Sequence, residues 1–128
     1  MRNKFKVLVV DDERTIADTL AVILQQHGAE THVAYSGQQA VECAETIQPD
    51  ILLTDVMMPG KNGIEVAENI GGKFPNCEIL LFSGSPAAAE MLLQARQRGQ
   101  NWEILNKPIH PSDLLKKLDR MAVGDKAS

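Results

Sequence analysis

Five apolar stretches of strand length alternate with five amphipathic stretches of helix length along this chain, and no other feature narrows its fold so far. Apolar runs separated by helices imply parallel strands joined by crossovers, and so an α/β protein. Strands are predicted over residues 5–10, 31–35, 51–54, 77–82 and 102–105. Several are apolar throughout instead of alternating, the pattern of strands covered by helices on both faces. The second is the most polar and is expected at an edge.

Ile16, Leu20, Ile23 and Leu24 mark one face of a first helix closed by Gly28, and Ala40, Val41, Ala44 and Ile47 a second stopped near Pro49. A third, starting at Asn62 and Gly63, carries its apolar face over 64–70 and is expected to end at Gly71 and Gly72. The fourth begins with Ser85 as cap and Pro86 at its first position and runs to Gly99. The fifth opens at Pro111, turns Leu114, Leu115, Leu118 and Met121 inward, and directs Lys116, Lys117 and Arg120 to water. Right-handed crossovers make a five-stranded doubly wound parallel sheet flanked by five helices the simplest architecture.

At 128 residues there is room for one core, so a single domain over 1–123 with a frayed tail over 124–128 is expected. A hydrophobic share of 44% with 23% charged residues is that of a globular protein rather than a disordered one. The formal charge of −4 speaks against direct nucleic-acid binding, which needs a basic face. Apolar runs such as 79–82 fall far short of the roughly 18 residues of a membrane span, and no signal-peptide pattern opens the chain. A cytoplasmic protein without membrane contact is expected. Cys43 and Cys77 form no CxxC pair and read as buried thiols, while His27, His32 and His110 are dispersed without metal spacing.

Doubly wound sheets place their sites outside the carboxyl ends of the strands. Asp11, Asp12 and Glu13 follow the first strand, Asp55 the third, Ser83 the fourth, and Lys107 and Pro108 the fifth. Each alone has a plain explanation, since an Asp at a helix start commonly caps it and one at a strand end commonly makes a turn. Together they are harder to dismiss. Close carboxylate pairs cost on the order of 4 kcal/mol each at intermediate dielectric, so three on one edge call for a cation. Few protein oxygens are at hand, which suits Mg²⁺ better than Ca²⁺ and leaves a position for a phosphoryl oxygen. Lys107 would add positive charge, Ser83 a hydroxyl donor, and Gly84 room and a backbone N–H.

The segments Val9-Val10-Asp11-Asp12, Leu53-Thr54-Asp55-Val56-Met57-Met58-Pro59-Gly60, Phe82-Ser83-Gly84 and Asn106-Lys107-Pro108 resemble the signature segments of response-regulator receiver domains, the CheY-like family of two-component signal transduction. The resemblance implies the flavodoxin-like strand order 2-1-3-4-5, which spacing alone does not. It implies that Asp55 is the phosphoacceptor and that Asp11, Asp12, Asp55 and the main-chain carbonyl of Met57 hold Mg²⁺. Ser83 and Lys107 would hold the phosphoryl oxygens, and the Lys107-Pro108 peptide would be cis.

Such a chain is a phosphorylation-controlled switch rather than an enzyme, although it promotes its own phosphotransfer and dephosphorylation. The donor implied is a sensor histidine kinase or a histidine phosphotransfer protein. The recipient is a downstream effector or output domain, with a phosphorylation-dependent homodimer also compatible. Met57 and Ser85 flank the route of the hydrolytic water and would tune the phosphoryl lifetime. The family's switch aromatic falls here at Ile104, a departure, with Trp102 two residues earlier as its potential substitute.

Three other readings fit less well. A phosphatase of the haloacid dehalogenase type resembles two Asp residues one apart, and here the second position is Met57. A flavodoxin-like module would place its phosphate loop where Asp11, Asp12 and Glu13 repel it. An interaction module that keeps the fold without being phosphorylated draws its support from Ile104. The chain is expected to be a stand-alone receiver or the receiver portion of a longer regulator.

Overall fold

The computed structural model describes the backbone of residues 5–127 and the side chains of 5–121. Strands β1 (Lys6–Val10), β2 (Glu30–Ala34), β3 (Ile51–Asp55), β4 (Glu78–Ser83) and β5 (Glu103–Asn106) alternate with helices α1 (Arg14–Gln26), α2 (Gly37–Ile47), α3 (Gly63–Lys73), α4 (Pro86–Gln97) and α5 (Pro111–Ala127). All strand pairs are parallel, in the order β2-β1-β3-β4-β5. The expected doubly wound sheet is therefore present, with the polar second strand at one edge. Strand limits differ from expectation by at most one residue; Trp102, expected inside the last strand, immediately precedes it. The tail expected over 124–128 lies outside the described side chains, and the backbone of α5 runs on to Ala127.

The apolar runs along the strands divide between two cores by the period-two geometry of a strand. Val7, Val9, Ile51, Leu53, Leu80 and Phe82 pack against Ala17, Leu20 and Leu24 of α1 and Leu114, Leu118 and Met121 of α5. Leu8, Val10, Leu52 and Leu81 face the other way, onto the inner residues of α2, α3 and α4. Burial on both faces is why neither strand register nor strand identity needs an alternating pattern here.

The end of α3 departs from expectation. α3 does not stop at Gly71 and Gly72 but continues to Lys73, with Phe74 at its C-cap donating its N–H to Ile70 O at 2.8 Å. Pro75 ends it, because the residue before a proline is pushed out of helical geometry. Gly28 and Gly99, by contrast, sit at φ +100° and +94° just beyond α1 and α4, as helix-ending glycines do. The thiols also differ: Cys43 and Cys77 are half-buried and free, and burial pushes the Cys77 pKa up to about 12. No helix among the described residues is long and apolar enough to cross a membrane.

Candidate functional site

Parallel register decides which side chains meet at the carboxyl edge. Val10 pairs with Thr54, so Asp11 and Asp55, one step further, emerge side by side from β1 and the central strand β3. Asp55 pairs with Phe82 and Ser83 with Asn106, which sets Ser83 and Lys107 along the same edge. The Lys107 N–H donates to Ser83 O at 2.9 Å, extending the ladder by one rung and holding the base of the lysine. The Lys107-Pro108 peptide is cis.

Asp11 and Asp55 are buried, at 0% and 4% exposure, whereas Asp12 is exposed. One carboxylate oxygen from each of Asp11, Asp12 and Asp55 lies within 4.8 Å of the others. Lys107 Nζ stands 3.3 Å from Asp11 Oδ2 and 3.3 Å from Asp55 Oδ2, with Glu13 Oε1 at 3.9 Å. The Phe82 ring, 5.2 Å from Nζ, lies under the same ammonium. The plain reading of Asp12 as a helix cap is not what forms: Glu13 occupies the cap position of α1 and makes no side-chain cap bond. Asp11 is instead oriented locally, its Oδ1 accepting the Glu13 N–H at 2.9 Å.

Burial raises the Asp55 pKa to about 6, assisted by the charge of Asp11 and opposed by Lys107. The Asp11 carboxyl is raised chiefly by burial as well. Burial works against the Lys107 ammonium, yet the carboxylates of Asp55 and Asp11 outweigh it and hold its pKa above the ordinary value. One ammonium thus fails to balance the cluster: the carboxyls remain harder to ionise than in water despite it. A hard divalent cation suits that deficit, and an all-oxygen donor set with few protein ligands suits Mg²⁺.

The remaining expected residues are distributed around this cluster. Ser83 is buried at the end of β4, and its Oγ accepts the Ser85 N–H at 3.1 Å. The Ser85 hydroxyl caps α4 by accepting the Ala87 N–H at 3.2 Å. A Cβ on Gly84 would stand 3.3 Å from Lys107 Cβ, so the glycine leaves room beside the lysine. Met57 is 41% exposed, while Met58 is buried. Ile104 is half-buried in β5, and both it and Trp102 pack against the core beneath α2, α3 and α4. Trp102 sits at the amino end of β5, lining a groove with Gly71, Gly72 and Cys77, away from the acidic loops.

Sequence reasoning took Gly63 only as a helix start and missed its second role. A Cβ there would fall 2.0 Å from the carbonyl oxygen of Asp55, so only glycine lets α3 begin against the end of β3. Its N–H donates to Val56 O at 2.8 Å, and Asn62 and Glu65 close a capping box around it. The Asn-Gly pair before a helical pattern is the one available signal, and it does not reveal which backbone lies opposite.

Comparison with known proteins places this geometry. The family model described as "Response regulator receiver domain" matches residues 7–119. The chain is similar to the chemotaxis protein CheY4 of Vibrio cholerae, with 29% identity, 93% of this chain and 99% of that one covered, and a TM-score of 0.81. A CheY-like response regulator receiver domain protein from Methanospirillum hungatei JF-1 is 25% identical over 98% of this chain and 100% of its own, with a TM-score of 0.84. A two component transcriptional regulator AraC from Clostridium phytofermentans ISDg is 28% identical, covering 92% and 91%, with a TM-score of 0.78.

Proposed function

The chain belongs to the response regulator receiver domain family, and on that premise we propose that Asp55 is the residue that takes the phosphoryl group. Family membership makes it a phosphoacceptor switch of two-component signalling. The observation that carries the assignment is the pair of buried carboxylates, Asp11 and Asp55, each 3.3 Å from a single lysine at the carboxyl edge of the sheet.

In this reading a carboxylate oxygen of Asp55 attacks the phosphorus of a phosphohistidine borne by a sensor kinase or phosphotransfer protein. The P–N bond breaks, the imidazole leaves, and an acyl phosphate remains. A carboxylate nucleophile needs no general base, so positioning and charge neutralisation supply the acceleration. Mg²⁺, when bound, would neutralise charge on carboxylate and phosphoryl oxygens, held by Asp11, Asp12, Asp55 and the Met57 carbonyl. Lys107, already drawn to the Asp55 carboxylate, follows the charge onto the phosphoryl oxygens, and the Ser83 hydroxyl donates to one of them. Water attacking the acyl phosphate returns Asp55 and releases inorganic phosphate, along a path flanked by Met57 and Ser85. Movement of Ser83 toward the phosphoryl group, felt at Ile104, would carry the change to an effector, an output domain or a second copy.

The assignment is tested by incubating the protein with a small acyl phosphate. Incorporation is expected to require Mg²⁺ and to vanish in Asp55→Asn; unchanged labelling of that variant would refute the assignment.

A further inference from the structure

The loop that follows Asp55 leans on the start of α2, and it does so at a glycine. A Cβ on Gly37, the first residue of α2, would lie 2.5 Å from the Lys61 carbonyl oxygen, 2.8 Å from Lys61 Cβ and 2.9 Å from Val66 Cγ2. Real Cβ atoms do not approach that closely, and the nearest of the three is backbone, which no side-chain rotation can clear, so one of the two chain segments must move. We infer that Gly37 is a positioning residue for phosphoryl transfer: its bare backbone lets the 57–61 loop settle against α2, which sets the course of the chain between Asp55 and α3. This rests on the reading of Asp55 as acceptor and of the Met57 carbonyl as a metal ligand.

Which side yields to an added methyl follows from what pins each. The α2 side is tied down several times over. The Ser36 hydroxyl accepts the Gln39 N–H at 3.1 Å, and Gln39 Oε1 accepts the Tyr35 N–H at 2.6 Å. The Tyr35 hydroxyl donates to Asp18 Oδ1 of α1 at 2.6 Å, and the Arg14 guanidinium lies 4.0 Å over the Tyr35 ring. On the far side, Asn62 and Gly63 are fixed by the capping box and by the Gly63 N–H bond to Val56 O. Between these anchors runs 57–61, a stretch without regular secondary structure that contains Gly60 at φ +71°. The segment that shifts is therefore the one bearing the Met57 carbonyl, two residues beyond Asp55 at the end of β3.

The test is Gly37→Ala, with labelling from a small acyl phosphate measured against Mg²⁺ concentration and normalised to folded protein, an osmolyte being added if the variant is marginal. The Mg²⁺ concentration for half-maximal labelling should rise by about tenfold, the lower end of what disturbed outer-shell contacts cost a metal site. Gly72→Ala, where an added Cβ meets nothing within 4 Å, serves as the control and should keep the parent's requirement. Adding Val66→Ala to Gly37→Ala removes one of the three contacts but not the backbone clash, and it opens a gap at a fully buried position, so it should restore neither stability nor the parent's Mg²⁺ requirement. A parent-like requirement in Gly37→Ala, or recovery of both properties in the double variant, would show plain packing and overturn the inference. A parent that takes no label would instead overturn the acceptor assignment itself.

Discussion

At the end of β3, Asp55 sits where a carboxylate is disfavoured, and the direction of that strain predicts a pH dependence. Its pKa moves from 3.8 to about 6 on folding, chiefly through burial and then through Asp11. A carboxyl whose folded pKa lies above its unfolded one is stabilising while protonated, so its contribution is present below about pH 4 and is lost as pH rises to about 6. In chelator, Asp55→Asn should therefore be more stable than the parent at pH 7 by roughly 2–3 kcal/mol, and about equal at pH 4. Urea unfolding of both proteins at the two pH values measures this; a parent more stable than Asp55→Asn at pH 7 without divalent cation would contradict the cluster's electrostatics. Asp11, Asp12, Asp55, Ser83 and Lys107 were legible in the sequence because each follows a recognisable strand. Gly37 and Gly63 were not, because their importance lies in the foreign backbone beside them, which no local pattern encodes.

Among the elements, α3 shows both what local chemistry specifies and where it stops. Asn62 accepts the Glu65 N–H at 2.9 Å while Glu65 accepts the Asn62 N–H at 2.9 Å, so two otherwise orphaned donors are satisfied reciprocally. Asn62→Ala should cost about 1 kcal/mol of stability and Asn62→Gly only a few tenths, as read by chemical denaturation at neutral pH. Equal losses for the two would mean that the cap bond contributes little. Ser85 with Pro86 at the start of α4 and Gly28 beyond α1 were readable for the same reason: each acts within one turn of itself. Gly71 and Gly72 misled, because glycine signals a helix end only where the chain adopts positive φ, and Pro75 had already taken that task. Trp102 misled by one residue at the other end of the scale, being apolar enough to extend a strand pattern but packed ahead of β5 beside α3.

Across the molecule, alternation alone implied a parallel doubly wound sheet, and the strand order came only with the family resemblance. Nor could periodicity say that α1 and α5 share one face while α2, α3 and α4 share the other, since every helix offers a similar apolar stripe. That division matters for function: it leaves the carboxyl edge open between the layers, with acidic groups from the β1 and β3 ends and the lysine from the β5 end converging there. The most direct measurement is to phosphorylate the protein with a small acyl phosphate, reduce it with borohydride, and map the peptides by mass spectrometry. An acyl phosphate on a carboxylate is reduced to an alcohol, so homoserine is expected at position 55 and nowhere else, only in samples that contained Mg²⁺. Modification at Asp11 or Asp12, or a label resistant to reduction on a serine or histidine, would contradict it.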